Sequence, residues 1–134
     1  MITGIGHAAY FVSDMEAALE FYCGKLGFAD AFELKHPETG APWIRYIKVA
    51  PGQFIELFYG RQEENPGGSY SHLCLKVDDI QAIAAQMRET GAPLDNPPSQ
   101  GSDGNWQCWT HDPDGNRIEF MQMMPDSLQS RAER

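Results

Sequence analysis

The sequence predicts an α+β fold made of two copies of one βαβββ module, and an internal repeat, strand alternation and chain length carry that prediction. Sliding the second half by 65 residues places His72 on His7, Val77 on Val12, Asp79 on Asp14, Ile80 on Met15 and Ile83 on Ala18. Farther on, Phe54-Ile55-Glu56-Leu57-Phe58 matches Arg117-Ile118-Glu119-Phe120-Met121 at an offset of 63, the two-residue difference falling in loops. At 134 residues the chain has the size of one ordinary domain, long enough to bury a core. We expect a single domain over residues 1–124, with module 1 at 1–64, module 2 at 69–124 and a loosely ordered tail at 125–134.

The elements follow in order. A short strand carries His7, and alternation puts His7, Ala9 and Phe11 on one face and Ala8, Tyr10 and Val12 on the other. A helix is expected over 13–26, where Met15, Ala18, Leu19, Tyr22, Cys23 and Leu26 recur at helical spacing. Ser13 with Glu16 has capping-box spacing, and Gly27 stands where a left-handed terminal residue is wanted. Strands follow at 28–35, 43–49 and 53–59, then a linker, Asn65 to Gly68. In the second copy His72 and Cys74 share a strand face opposite Leu73, Leu75 and Val77. The helix over 78–90 opens on Asp78 with Gln81, carries Ile80, Ile83, Ala84 and Met87 as its stripe, and ends at Gly91. A weak strand at 93–96 precedes a polar loop at 97–104 that is free to move over a site, then strands at 105–111 and 116–123.

Nineteen acidic against ten basic residues give a net charge of −9 and a pI near 4.7, a field that repels phosphate backbones and anionic lipid. Nucleic acid and membrane are therefore not expected as partners. The N-terminus lacks a signal-peptide pattern, and the expected location is the cytoplasm. Cys23, Cys74 and Cys108 are odd in number and widely spaced, which suits reduced, buried thiols.

Glu56 and Glu119 interrupt otherwise apolar strands, and a buried carboxylate is costly unless it is paired or binds a cation. Were the two modules to face each other, His7, Glu56, His72 and Glu119 would converge from four strands. Two imidazoles and two carboxylates suit a divalent first-row ion, with Ni, Co, Fe, Mn and Zn all compatible. In six-coordination such a set leaves two positions for adjacent oxygens of a small-molecule substrate.

His7 followed by Val12-Ser13-Asp14, Phe21-Tyr22 through Lys25-Leu26-Gly27-Phe28, Ile55-Glu56-Leu57, His72 through Val77-Asp78, and Asp112-Pro113-Asp114-Gly115-Asn116-Arg117-Ile118-Glu119 resemble the vicinal oxygen chelate superfamily. The match spans roughly residues 2–123. It implies paired βαβββ modules with curved mixed sheets around a metal, and an ion that chelates vicinal oxygens and stabilises an enolate. Within that superfamily the His, Glu, His, Glu order is similar to bacterial glyoxalase I, the lactoylglutathione lyase. This resemblance favours Ni or Co. It implies a lyase or isomerase acting on an α-oxo-hemithioacetal or related α-hydroxycarbonyl, with Glu119, ahead of Glu56, as the base. It also implies a homodimer whose sites lie at the subunit interface, His7 and Glu56 of one chain facing His72 and Glu119 of the other. Two positions depart from the glyoxalase pattern for holding glutathione: Phe11 replaces an arginine and Gly60 an asparagine. An epimerase with the same enolate logic is the first alternative. A non-catalytic antibiotic-binding protein is the second, and retention of all four ligand positions weighs against it.

Other candidates read more plainly. Residues 112–116 lack the glycine and glutamate positions of a calcium loop and are expected to form a hairpin turn, with Gly115 at positive φ and aspartates bonding nearby amides. His36 and His111 are expected at exposed turns, Arg45 and Lys48 on a solvated face, and Trp43, Trp106 and Trp109 in the core or an interface.

Overall fold

The computed structural model describes residues 1, 7–60, 70 and 72–132, so the linker expected at 65–68 lies outside the described residues. The chain divides into two compact units, residues 1–68 and 69–134. In the first, β1 (His7–Val12), β2 (Ala29–Lys35), β3 (Pro42–Ala50) and β4 (Gln53–Tyr59) form a sheet in the order β1-β4-β3-β2. In the second, β5 (Leu73–Lys76), β6 (Asn96–Gln100), β7 (Trp106–His111) and β8 (Arg117–Gln122) repeat that order as β5-β8-β7-β6. Both sheets are mixed, because β1 runs parallel to β4 and β5 parallel to β8 while the other pairs are antiparallel. A parallel pair cannot be closed by a tight turn, so each unit places its helix in that crossover.

Strand parity follows the sequence pattern. On β1, Tyr10 and Val12 are buried while His7, Ala9 and Phe11 are exposed. Val12, Ile47 and Leu57 are at most 1% exposed, and Tyr22 packs among the fully buried side chains of the same unit. In the second unit Met87 of α2 (Ile80–Thr90), Cys108 and Ile118 fill the equivalent layer, α2 packing on β6, β7 and β8. Each such burial of a large apolar side chain contributes about 1.5–3 kcal/mol.

The helices depart from expectation in detail. The N-caps are Asp14 and Asp79, one residue beyond Ser13 and Asp78. The Asp14 carboxylate accepts from Ala17 N at 3.1 Å, and Asp79 accepts from Gln81 N and Ala82 N at 3.0 and 3.1 Å. A carboxylate meets the orphan amides and the positive helix end together, which explains the shift from Ser13. After one α-helical stretch, α1 (Met15–Leu19), the chain widens into a π-helical turn over Glu20–Lys25, with Leu26 N bonding Phe21 O at 3.0 Å. The extra residue per turn brings Phe21 into the core beside Tyr22, their rings 5.0 Å apart and edge-on, while Leu19 and Cys23 stay only part-buried.

Two further expectations change. The stretch read as a mobile loop begins with β6, an edge strand that tolerates Pro97 and Pro98 because its register breaks between Asn96 and Ser99. The residues after it are anchored by buried Asn105, which accepts from Met124 N at 2.9 Å, donates to the Asp103 carboxylate at 3.1 Å and touches Met121 Sδ at 3.4 Å. Asp103 O in turn accepts from Leu128 N at 3.0 Å, and buried Ser127 caps a short helix, α3 (Leu128–Ala132), through Ser130 N at 3.1 Å. Residues 125–132 are thus tied to the second unit where a loosely ordered tail was expected. The three cysteines are free, but only Cys108 is buried; Cys74 is exposed on the outer face of β5.

The 112–116 turn has the hairpin form. Asp112, 1% exposed, accepts from Asp114 N, Asn116 N and Asn116 Nδ2 at 2.9, 2.8 and 3.0 Å, while Gly115 supplies a φ of 81°. Asp112→Ala leaves those donors unpaired around a buried hole and should destabilise the fold by about 2–4 kcal/mol in urea unfolding; a change below about 0.5 kcal/mol would contradict this account.

Candidate functional site

Each unit builds one histidine–glutamate pair on the outer face of its sheet. Glu56 lies on β4 between β1 and β3, with Ala9 opposite on one side and Tyr46 on the other. His7, one pleat away from Ala9, reaches it: His7 Nε2 stands 3.0 Å from Glu56 Oε2. In the second unit Glu119 lies on β8 between Cys74 and Trp109, and His72 Nε2 stands 3.2 Å from Glu119 Oε2. The structure therefore brings the four expected ligands together as two pairs, by the same register in both units.

The donor chemistry fits a cation. Two neighbouring ligands on bonds of about 2.1 Å to one octahedral ion are about 3.0 Å apart, the spacing seen in both pairs. Both use the distal imidazole nitrogen and one carboxylate oxygen, a hard and borderline set suited to divalent first-row ions. Among the described residues no group of three or more His, Cys, Asp or Glu side chains is gathered closely enough to hold an ion, so each unit by itself offers two donors.

The surroundings of the two carboxylates differ. Glu56 is 6% exposed and receives a hydrogen bond from the Tyr46 hydroxyl as well as facing His7. That bond, then burial and the carboxylate's charge, hold the Tyr46 phenol above its ordinary pKa of 10. Phe32 stacks on the Tyr46 ring at 4.2 Å and 16°, fixing the donor. Beside Glu119 the matching cross-strand position is Trp109, whose ring meets that of His72 at 4.8 Å, edge-on, and carries the Arg117 guanidinium at 4.4 Å. Cys74 shares this face, and although the residue is exposed, neighbouring groups that displace part of the water around its sulfur, together with the Glu119 charge, push its thiol up to about 11, so it stays protonated near neutrality.

Tyr46 and Arg117 are the neighbours that sequence reasoning did not single out for the site, and Trp109, expected in the core or an interface, stands beside the second pair. The signal was available, since Tyr46 and Trp109 are related by the same offset of 63 that relates Glu56 to Glu119. Other candidates fall elsewhere. Arg45 lies on the opposite face of β3, bound to Asp30 at 2.7 Å and Glu33 at 3.6 Å. His111 pairs with Asp95 at 2.9 Å, and His36 Nδ1 accepts from Glu38 N at 3.2 Å within its turn.

The chain belongs to the Glyoxalase/Bleomycin resistance protein/Dioxygenase superfamily, which matches residues 4–120. It is 32% identical over 127 residues to an ethylmalonyl-CoA/methylmalonyl-CoA epimerase of Cereibacter sphaeroides, the match covering 87% of this chain and 93% of that one. It is 28% identical over 121 residues to a probable lactoylglutathione lyase of Synechocystis, covering 87% and 92%. Among solved structures, a Streptomyces antibiotic binding protein superposes with a TM-score of 0.73 at 26% identity, over 92% of this chain and 98% of that one. The α+β architecture of two four-stranded mixed sheets agrees with this family. Among the described residues no helix is long and apolar enough to cross a membrane.

A charge that holds the Tyr46 proton can be removed without changing shape. In Glu56→Gln the Tyr46 phenol should titrate at lower pH than in the wild type, read by ultraviolet difference spectra. An unchanged titration would show that burial alone raises it. Because the folded-state value is the raised one, this bond stabilises the fold fully below the ordinary tyrosine range and is lost as pH rises through the folded value.

Proposed function

We propose that this protein is a metal-dependent enzyme that moves a proton at a carbon beside a carbonyl, of lactoylglutathione lyase type, acting on an α-oxo-hemithioacetal or related α-hydroxycarbonyl. The observation that carries this reading is the His–Glu pair built at matching positions in both units, His7 with Glu56 and His72 with Glu119. Together the two pairs supply four ligands to one divalent ion, Ni or Co before Zn, Mn or Fe. When bound, the ion would polarise the substrate carbonyl and stabilise negative charge on its oxygen.

The remaining chemistry belongs to the chain. Glu119 takes the carbon-bound proton. Its side chain is 15% exposed against 8% for Glu56, and the position that matches Tyr46, whose hydroxyl ties Glu56 in place, is Trp109. A proton taken by Glu119 from one carbon and returned to the adjacent carbon, with the hydroxyl proton passing from the first carbon's oxygen to the second's, completes an isomerisation with one base. Glu56, held by His7 and Tyr46, positions and neutralises.

A second reading is epimerisation at the carbon beside a thioester, in which Glu119 and Glu56 act on opposite faces of that carbon. It is favoured by Phe11, 44% exposed where the glyoxalase pattern has arginine, by Gly60, whose φ of 98° excludes most side chains, and by the 32% identical epimerase.

Purified protein reconstituted with Ni or Co should hold close to one ion per pair of His–Glu units by elemental analysis and isomerise the methylglyoxal–glutathione hemithioacetal, followed as thioester absorbance. Glu119→Gln should lower turnover by about 100-fold or more. Turnover of a racemic acyl-CoA instead would favour the epimerase, and metal content below about 0.2 ion per chain would favour a binding protein.

The proposed assembly is a homodimer in which His7 and Glu56 of one chain meet His72 and Glu119 of the other. Phe11, Phe32 and Leu34 of the first unit are 44%, 51% and 39% exposed, an apolar surface that a second copy would cover. Mixing a His7→Ala/Glu56→Ala chain with a His72→Ala/Glu119→Ala chain should restore metal binding absent from either parent. No restoration despite proven subunit exchange would place all four ligands in one chain.

A further inference from the structure

The two sheets present different surfaces beside their carboxylates. Positions related by the repeat carry Phe11 and Phe54 in the first unit but Lys76 and Arg117 in the second. Lys76 and Arg117 thus place two cations on the strand face that holds Glu119. Lys76 lies opposite Met121, one pleat beyond the Cys74–Glu119 pair, and Arg117 stands two residues before Glu119 on the same strand face.

Arg117 is held in a specific way. Its guanidinium lies 4.4 Å from the centroid of the Trp109 ring, and Trp109 is the direct cross-strand neighbour of Glu119 and an edge-on contact of His72. Among the described residues no carboxylate pairs with Arg117, whereas Arg45 is bound by Asp30 and Glu33, and the nearby His111 is matched by Asp95. A guanidinium laid on an aromatic face keeps its donor edge directed outward, ready for an oxyanion held in two-point contact.

We propose that Arg117 is a specificity-determining residue that binds an anionic group, carboxylate or phosphate, of the substrate whose carbonyl reacts at Glu119. This rests on the proton-transfer reading above and narrows it to substrates on an acidic carrier. Two carriers supply such a group, the carboxylates of a glutathione adduct and the phosphates of a coenzyme A thioester.

The test compares hemithioacetals of methylglyoxal with glutathione and with 2-mercaptoethanol, which share the reacting carbons but not the charge. Arg117→Gln should raise KM for the glutathione adduct about tenfold or more, with kcat within about twofold, and leave both constants for the neutral adduct unchanged. Arg117→Lys should recover part of the loss, a point charge replacing the fork. Equal effects on both adducts, or none on either, overturn the proposal. Calorimetric binding of S-methylglutathione and of coenzyme A to metal-loaded protein needs no turnover. Whichever binds identifies the carrier, and its loss in Arg117→Gln supports the anion site even if no hemithioacetal reacts. Binding undiminished in Arg117→Gln, or binding of neither probe, overturns it.

Discussion

A carboxylate on a central strand has sheet neighbours on both sides and little water to solvate it, and both units of this chain contain one. Glu56 and Glu119 each sit on the strand flanked by a parallel and an antiparallel neighbour, so their partners must come from those neighbours. A histidine from the parallel strand answers that need in each case. The helix carries the chain from β1 to β2 at the far edge of the sheet, and β3 and β4 return it antiparallel to the side of β1; this connection sets His7 against Glu56, and its repeat sets His72 against Glu119. Burial cost, topology and candidate chemistry share one cause.

The repeat keeps the pair and varies its setting. In the first unit the antiparallel neighbour gives Tyr46, whose hydroxyl satisfies another carboxylate lone pair and is itself clamped by Phe32. In the second the same position gives Trp109, which offers a ring to His72 and Arg117 in place of a hydroxyl. Glu56 thereby has a hydroxyl donor at the position where Glu119 has an aromatic ring. The two copies share a backbone and a histidine–glutamate pair, yet differ in the residue beside it.

Much of this was legible from residues alone. The offsets of 65 and 63 carry the succession of elements along the chain, the strand parity and all four ligand candidates, because a duplicated module repeats its polar exceptions along with its core. What was hidden depended on details that spacing does not carry. A helical stripe cannot announce a π-helical turn, so Phe21 was missed while Leu19 and Cys23 were overvalued. Two adjacent prolines read as a loop, since their place on an edge strand depends on the sheet around them. Asn105 looked like loop polarity, and only its buried contacts with Asp103, Met121 and Met124 show why the following segment is ordered.

The prolines of β6 have a consequence beyond register. A sheet edge with free amides is a template on which another chain can add a strand, and a long exposed edge is how soluble proteins begin to form fibres. Pro97 and Pro98 present no amide hydrogen at the outer edge of the second sheet, and the bulge between Asn96 and Ser99 breaks its line. That edge is blunted against growth by residues that lack an amide hydrogen and by a broken register. Unwanted strand addition to the second sheet is left with its opposite margin, β5, only four residues long.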